Sequence, residues 1–169
     1  MQHPSKFAPV LLGSVIMVLF AIVPLLNFIN LACCAGIMLG GAAGAVYYNN
    51  QLKKIGESIT FKDGAAIGIL SGFIAAIIIV VFTTLLSMIM KENPIPEIYK
   101  IIDQQSFNLP PQAEQFLRKI SDEYSKNGFS ITLTLMSLVI DIIMYPVFGA
   151  IGGMLTVVIL GKKKDVHGQ

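Results

Sequence analysis

The chain has 169 residues, of which 13% are charged and 54% hydrophobic, and its net charge is +2. Soluble domains carry about 25% charged residues, so this composition excludes an ordinary soluble domain, and so small a positive excess gives no ground for a nucleic-acid partner. What charge there is lies outside long apolar runs: 7–52 and 64–90 hold none, and 127–161 holds only Asp141.

Uncharged apolar runs of about 18 residues or more read as membrane spans, because the hydrocarbon core is about 30 Å thick. The first run, 7–52, is too long for one crossing, since a single helix over it would extend roughly 70 Å. Two spans near 7–26 and 30–52 fit it, with a turn at PLLNFIN (24–30), where Pro24, Asn27 and Asn30 are the strong breakers. Lys6 followed by an apolar stretch and LACC (31–34) has some likeness to a cleaved lipoprotein leader. Asn30, however, stands where such a site wants Leu before Cys33, and Cys33 stands where it wants a small residue before Cys34. The apolar run also continues past both cysteines, unlike a leader. A retained span is therefore expected.

Within the second span, CCAGIMLGGAAGAVYY (33–48) is open to three readings. A phosphate-cradling loop needs GxGxxG or GxxxxGK[ST] after a strand, and neither is present. A redox pair is usually spaced CxxC with a basic neighbour that favours the thiolate, and Cys33–Cys34 has neither feature. The third reading is helix packing: Gly36, Gly40 and Gly44 recur every four residues, line one stripe of a helix and let another backbone approach.

A loop over 50–63 with Lys53, Lys54 and Lys62 follows, and then a third span, 64–90, that repeats the device with Gly64, Gly68 and Gly72. The segment 91–128 holds most of the remaining charge. Ile95, Ile98 and Ile102, then Ala113, Phe116, Leu117, Ile120 and Tyr124, recur at helical spacing. Pro94, Pro96, Pro110 and Pro111 punctuate two short amphipathic helices outside the membrane, with Pro111 suited to a first turn. Packing over the bundle's outer end is the plain expectation for them, and a ligand-gathering lid the sharper one. A fourth span, 129–161, carries Gly149 and Gly153. LGGAAGAVYY (39–48) and IGGMLTVVIL (151–160) share a paired glycine, which suggests two hairpins related by duplication.

The fold expected is all-α, an integral membrane four-helix bundle of two hairpins with a small extramembrane helical segment at 91–128, the whole chain forming one membrane domain. Seven lysines near span ends (Lys6, Lys53, Lys54, Lys62, Lys162, Lys163, Lys164) mark one side, so both termini are expected in the cytoplasm. PLLNFINLACCAGIMLGGAAGAVYY, ITFKDGAAIGILSGFIAAII and FGAIGGMLTVVILGKKK together resemble small four-span prokaryotic membrane proteins of the domain-of-unknown-function type. The resemblance covers the three glycine-bearing spans and implies a prokaryotic inner-membrane protein. It carries no catalytic residue, and the 91–128 segment stands outside it.

No enzyme, metal or cofactor is expected. His3 and His167 lie at the chain ends, and HExxH, GxSxG and paired intramembrane carboxylates are all missing. The leading function class is a non-enzymatic membrane scaffold or interaction subunit, with the bilayer and a homo-oligomer or membrane-protein partner as its contacts. The runner-up is a small transporter or ion-permeation protein that uses Asp141 as a proton or ion site and Pro146 as a hinge. A carboxylate inside a span is a functional hypothesis by default. A helix anchored by Lys162 would instead carry Asp141 to the outer interface, 21 residues or about one bilayer thickness away.

Overall fold

A computed structural model describes residues 4–23, 25–26, 30, 34–90, 95–104 and 110–166, without the side chains of 103 and 162–166. Most of the turn expected over 24–30, and Cys33, lie outside the described residues. Those described are helical or in short connections, with no strand among them. The helices are α1 (Phe7–Ile22), α2 (Ala35–Lys53), α3 (Phe61–Met90), α4 (Ile95–Gln104), α5 (Pro111–Asn127) and α6 (Ile131–Val166).

Local chemistry sets the helix ends. Val23, which precedes Pro24, is extended at φ −77° and ψ 117°, as the proline ring requires of the residue before it. Helix α1 therefore ends four residues short of the expected span. Helix α3 opens on a capping box: Thr60 Oγ1 accepts from the Asp63 amide at 3.2 Å, and Asp63 Oδ2 accepts from the Thr60 amide at 3.2 Å and from its hydroxyl at 2.6 Å. Helix α5 starts on Pro111 and stops at Gly128, which takes φ +76° and donates its amide to the Tyr124 carbonyl.

The chain divides into two compact units, Met1–Ile79 with Ile140–Gln169, and Val80–Val139. In the first, α1, α2, the first part of α3 and the later part of α6 pack as a helical bundle. Lys6 Nζ meets Asp63 Oδ1 at 2.6 Å and lies 5.7 Å from the centre of the Tyr48 ring. The beginnings of α1 and α3 and the last turns of α2 therefore share one end, where buried Asn49 also accepts from the Ile59 amide at 3.4 Å. Gly36 lies by Phe20, Gly40 by Met17 and Gly44 by Pro9, so α2 runs antiparallel to α1. Gly64 lies by Gly153, Gly68 by Gly149 and Gly72 by Tyr145, so α6 runs antiparallel to α3. It follows that α2 and α6 point the same way.

Two apolar clusters fill this bundle. Val10, Ala45, Tyr48, Leu52, Ile59 and Ile67 form one near the Lys6 end, and Met17, Ile37, Ala75, Ala76, Ile79 and Tyr145 form the other. The outward surface is apolar too: Ile77, Ile143 and Ile159 are 52%, 58% and 60% exposed. Two helices are long and apolar enough to cross a membrane, Phe61–Met90 and Ile131–Gly161, and only 44% and 39% of their most apolar windows is buried. Helix α1 is apolar but, at 16 residues, spans about 24 Å.

The second unit holds the end of α3, α4, α5 and the start of α6. Ile95 and Ile120 are buried in it. Its firmest polar feature is a borrowed cap at the start of α6. Glu123 Oε2 accepts from the Ser130 hydroxyl at 2.5 Å and the Thr132 amide at 2.9 Å, while Oε1 accepts from the Thr132 hydroxyl at 2.6 Å. The bonds from Ser130 and Thr132 favour the charged form and hold this carboxyl at about 2, well below its ordinary 4.5. Ser130 Oγ in turn accepts from the Leu133 amide at 3.1 Å.

Candidate functional site: the glycine seam and Asp141

The eight glycines picked out by spacing all lie in the first unit, and each stands where a side chain would collide with a neighbouring helix. A methyl group at Gly64 would come within 2.7 Å of the Gly153 carbonyl oxygen, and one at Gly153 would strike the Gly64 carbonyl. Gly68 and Gly149 stand in the same reciprocal relation. A methyl at Gly72 would meet the Tyr145 carbonyl at 2.5 Å, and one at Gly44 the Pro9 carbonyl at 2.8 Å. At Gly40 the neighbours are Met17 and the Gly13 carbonyl, and at Gly36 they are Phe20 and Asn30. Close backbone approach of this kind brings Cα–H groups onto carbonyl oxygens and multiplies van der Waals contact.

Three glycines outside that set belong to the same seam. Gly41 faces the Gly149 carbonyl, Gly152 the Met38 carbonyl, and Gly13 the Ser71 side chain. A signal for two of them was present in the pairs Gly40–Gly41 and Gly152–Gly153. Successive residues on an α-helix are about 100° apart, since 3.6 make a turn. A pair of glycines thus clears two faces at once. Gly40 opens α2 toward α1 and Gly41 opens it toward α6; Gly153 opens α6 toward α3 and Gly152 opens it toward α2. Gly149, in contact distance of both Gly41 and Gly68, is where three helices meet. Ser71 adds a polar tie, donating to the Val10 carbonyl at 3.0 Å from a fully buried position.

Asp141 lies in α6, half-buried, and no hydrogen bond or ion pair among the described residues engages its carboxylate. Tyr145 lies one turn along the helix from Asp141 and is buried in the cluster of Met17, Ile37 and Ile79, against which Cys34 packs. The hydroxyls of Ser137 and Thr83 donate to the carbonyls of Thr134 and Val80 in their own helices, at 3.1 and 3.2 Å. Helix α6 is continuous through Pro146. The proline's missing amide leaves the carbonyl four residues back without its usual helical donor, and its nitrogen is packed against Gly72.

Cys34 introduces α2 in the left-handed region at φ +58°, the one non-glycine residue among those described to do so. Such a conformation persists only where its surroundings impose it. Here Cys34 donates its amide to the Asn30 carbonyl at 2.9 Å, and the Asn30 side chain donates to the Phe20 carbonyl at 3.0 Å, closing the last turn of α1. Among the described residues no three His, Cys, Asp or Glu side chains gather in a way that could hold a metal ion. No family model, curated protein or solved structure matches this chain.

Proposed function

We propose that the chain is a multi-pass protein of a prokaryotic inner membrane, with four crossing helices and both termini in the cytoplasm, and that it acts as a non-enzymatic scaffold or interaction subunit. The observation that carries this reading is the backbone-to-backbone seam at Gly41, Gly64, Gly68, Gly149 and Gly153 inside a bundle whose outward surface is apolar. Helices in lipid gain little from burying apolar side chains against each other, so close approach along small residues supplies their cohesion. Helices α1 and α2 pack along α3 and α6 within one unit, which supports a common depth for all four. The polar end at Lys6, Tyr48, Asn49 and Asp63 has the character of a membrane–water interface. A homo-oligomer or a second membrane protein is the partner class.

A second reading rests on one observation, the carboxylate of Asp141, which no described residue engages and which is the one charge in 131–161 of a helix that contains Pro146. It makes the protein a small transporter or ion-permeation protein, with Asp141 as carrier and Pro146 as hinge. Reconstitution in proteoliposomes separates the two. Proton and cation flux at the level of protein-free vesicles is the scaffold outcome. Flux that Asp141→Asn abolishes would replace it with the transporter.

A further inference from the structure

The first unit gathers exposed positive charge at one end. Lys53 closes α2, Lys54 follows it, and Lys62 lies in the first turn of α3; all three are exposed. The two helix ends are held side by side. Ile59 donates its amide to the Asn49 side chain, one turn back from Lys53, and the Glu57 amide bonds the Leu52 carbonyl. From the start of α1, Lys6 reaches Asp63 and lies over the Tyr48 ring. Lys6 and Thr60 together occupy the Asp63 carboxylate. Among the described residues no acid pairs with Lys53, Lys54 or Lys62. Glu57 is the one acid in the connection 54–60, so this end stays positive.

Apolar side chains stand among these lysines. Ile55 follows Lys54, Phe61 precedes Lys62 and Phe7 follows Lys6; each is exposed, as is Tyr47 in α2. Cationic heads beside exposed apolar and aromatic side chains suit the boundary between lipid headgroups and acyl chains. A phosphate-bearing polymer in water would meet the lysines and leave the apolar side chains uncovered. The second unit lacks this imbalance, since 91–128 holds five basic and six acidic residues.

We propose that this end of the first unit binds the phosphates of anionic phospholipids. Lys53, Lys54 and Lys62 stand at the headgroups, and Phe7, Ile55 and Phe61 enter the acyl boundary. The proposal rests on the membrane reading of the chain. The competing role for the lysines is orientation during insertion alone, which requires no contact with lipid charge in the folded protein.

The test begins with a carbonate wash of membranes that contain the full chain. Release of the chain would remove the membrane reading and this proposal with it. Retained chain is moved through detergent into nanodiscs of phosphatidylcholine, with or without phosphatidylglycerol, and melted by circular dichroism. Reconstitution from detergent bypasses cellular insertion, so a role in orientation alone gives no signal. Phosphatidylglycerol should raise the melting temperature, and high salt should shrink the rise. Each lysine near an anionic surface adds to the attraction. Lys62→Gln should therefore reduce the rise, and Lys53→Gln, Lys54→Gln and Lys62→Gln together should remove about half of it or more. Lys100→Gln, at an exposed lysine of the second unit, should leave it in place. Each variant is referred to its own melting temperature in neutral discs, so a change in folding alone does not enter. Retained chain that shows no rise with phosphatidylglycerol would overturn the proposal and leave the membrane reading standing. So would a rise that the triple variant keeps in full, or one that Lys100→Gln reduces as much as Lys62→Gln does.

Discussion

At the scale of single residues, two carboxylates with opposite surroundings make different predictions. Glu123 is held in its charged form by Ser130 and Thr132 and caps a helix to which it does not belong. Its folded pKa of about 2 lies below the ordinary 4.5, so its contribution to stability is fully present above pH 4.5 and is lost as pH falls toward 2. Glu123→Gln should therefore lower the melting temperature at pH 7, and the gap between variant and parent should close as both are melted at successively lower pH below 4.5. A gap that stays constant across that range would remove the charge from the explanation. Among the described residues Asp141 has no such partners. Under the scaffold reading Asp141→Asn leaves folding intact, with a melting temperature no lower than the parent's, because no bond made by the carboxylate is lost. A loss of several degrees would show that the Asp141 carboxylate has a structural partner.

At the scale of elements, the seam sets the tolerance of each glycine. A methyl at Gly68 collides with the Gly149 backbone, which cannot swing aside as a side chain would. Gly68→Ala should cost about 1–3 kcal/mol, the usual range for overpacking, read as a drop of several degrees in melting temperature. Gly161 has open space around it, and Gly161→Ala should be neutral or slightly stabilising because alanine is the better helix former. Gly128 lies outside the stripes but is no neutral control, since its positive φ strains any other side chain. Equal melting temperatures for the Gly68 and Gly161 variants would dissolve the seam. The all-helical class was legible because uncharged apolar runs leave a chain few alternatives. Pro111 and the amphipathic spacing after it marked α5 for the same reason that proline fits a first turn. Helix α1 proved shorter than its apolar run, because composition measures what a bilayer accepts and Pro24 decides where the helix stops. The four-residue spacing of Gly36, Gly40 and Gly44 was visible, but which helix each would face was not. Spacing defines a stripe on one helix, and its partner is set by how all the helices pack. The borrowed cap on α6 joins Glu123 to Ser130 and Thr132 through tertiary geometry that no short motif encodes.

For the whole molecule, orientation is the first thing to measure. A cytoplasm-only fluorescent reporter fused after Gln169 should be bright, since the seven lysines near span ends favour that side. Brightness from a fusion within 100–125, and darkness after Gln169, would invert the topology. Assembly order is the deeper consequence of Gly149 being the point where α2 and α3 both meet α6. Gly41 and Gly68 leave the ribosome long before it does, and at about 5–20 residues per second the ~100 residues between Gly41 and Gly149 take some seconds to make. During that interval two bare backbone faces have no helix to cover them, while the Lys6–Asp63 pair can already draw α1 and α3 together. The nascent chain thus passes through a three-helix stage with an open groove shaped for α6. A truncation ending before Gly149 should stall there, cross-linking through a cysteine at position 41 or 68 to whatever attends insertion, and the full-length chain should lose those cross-links as its last helix arrives.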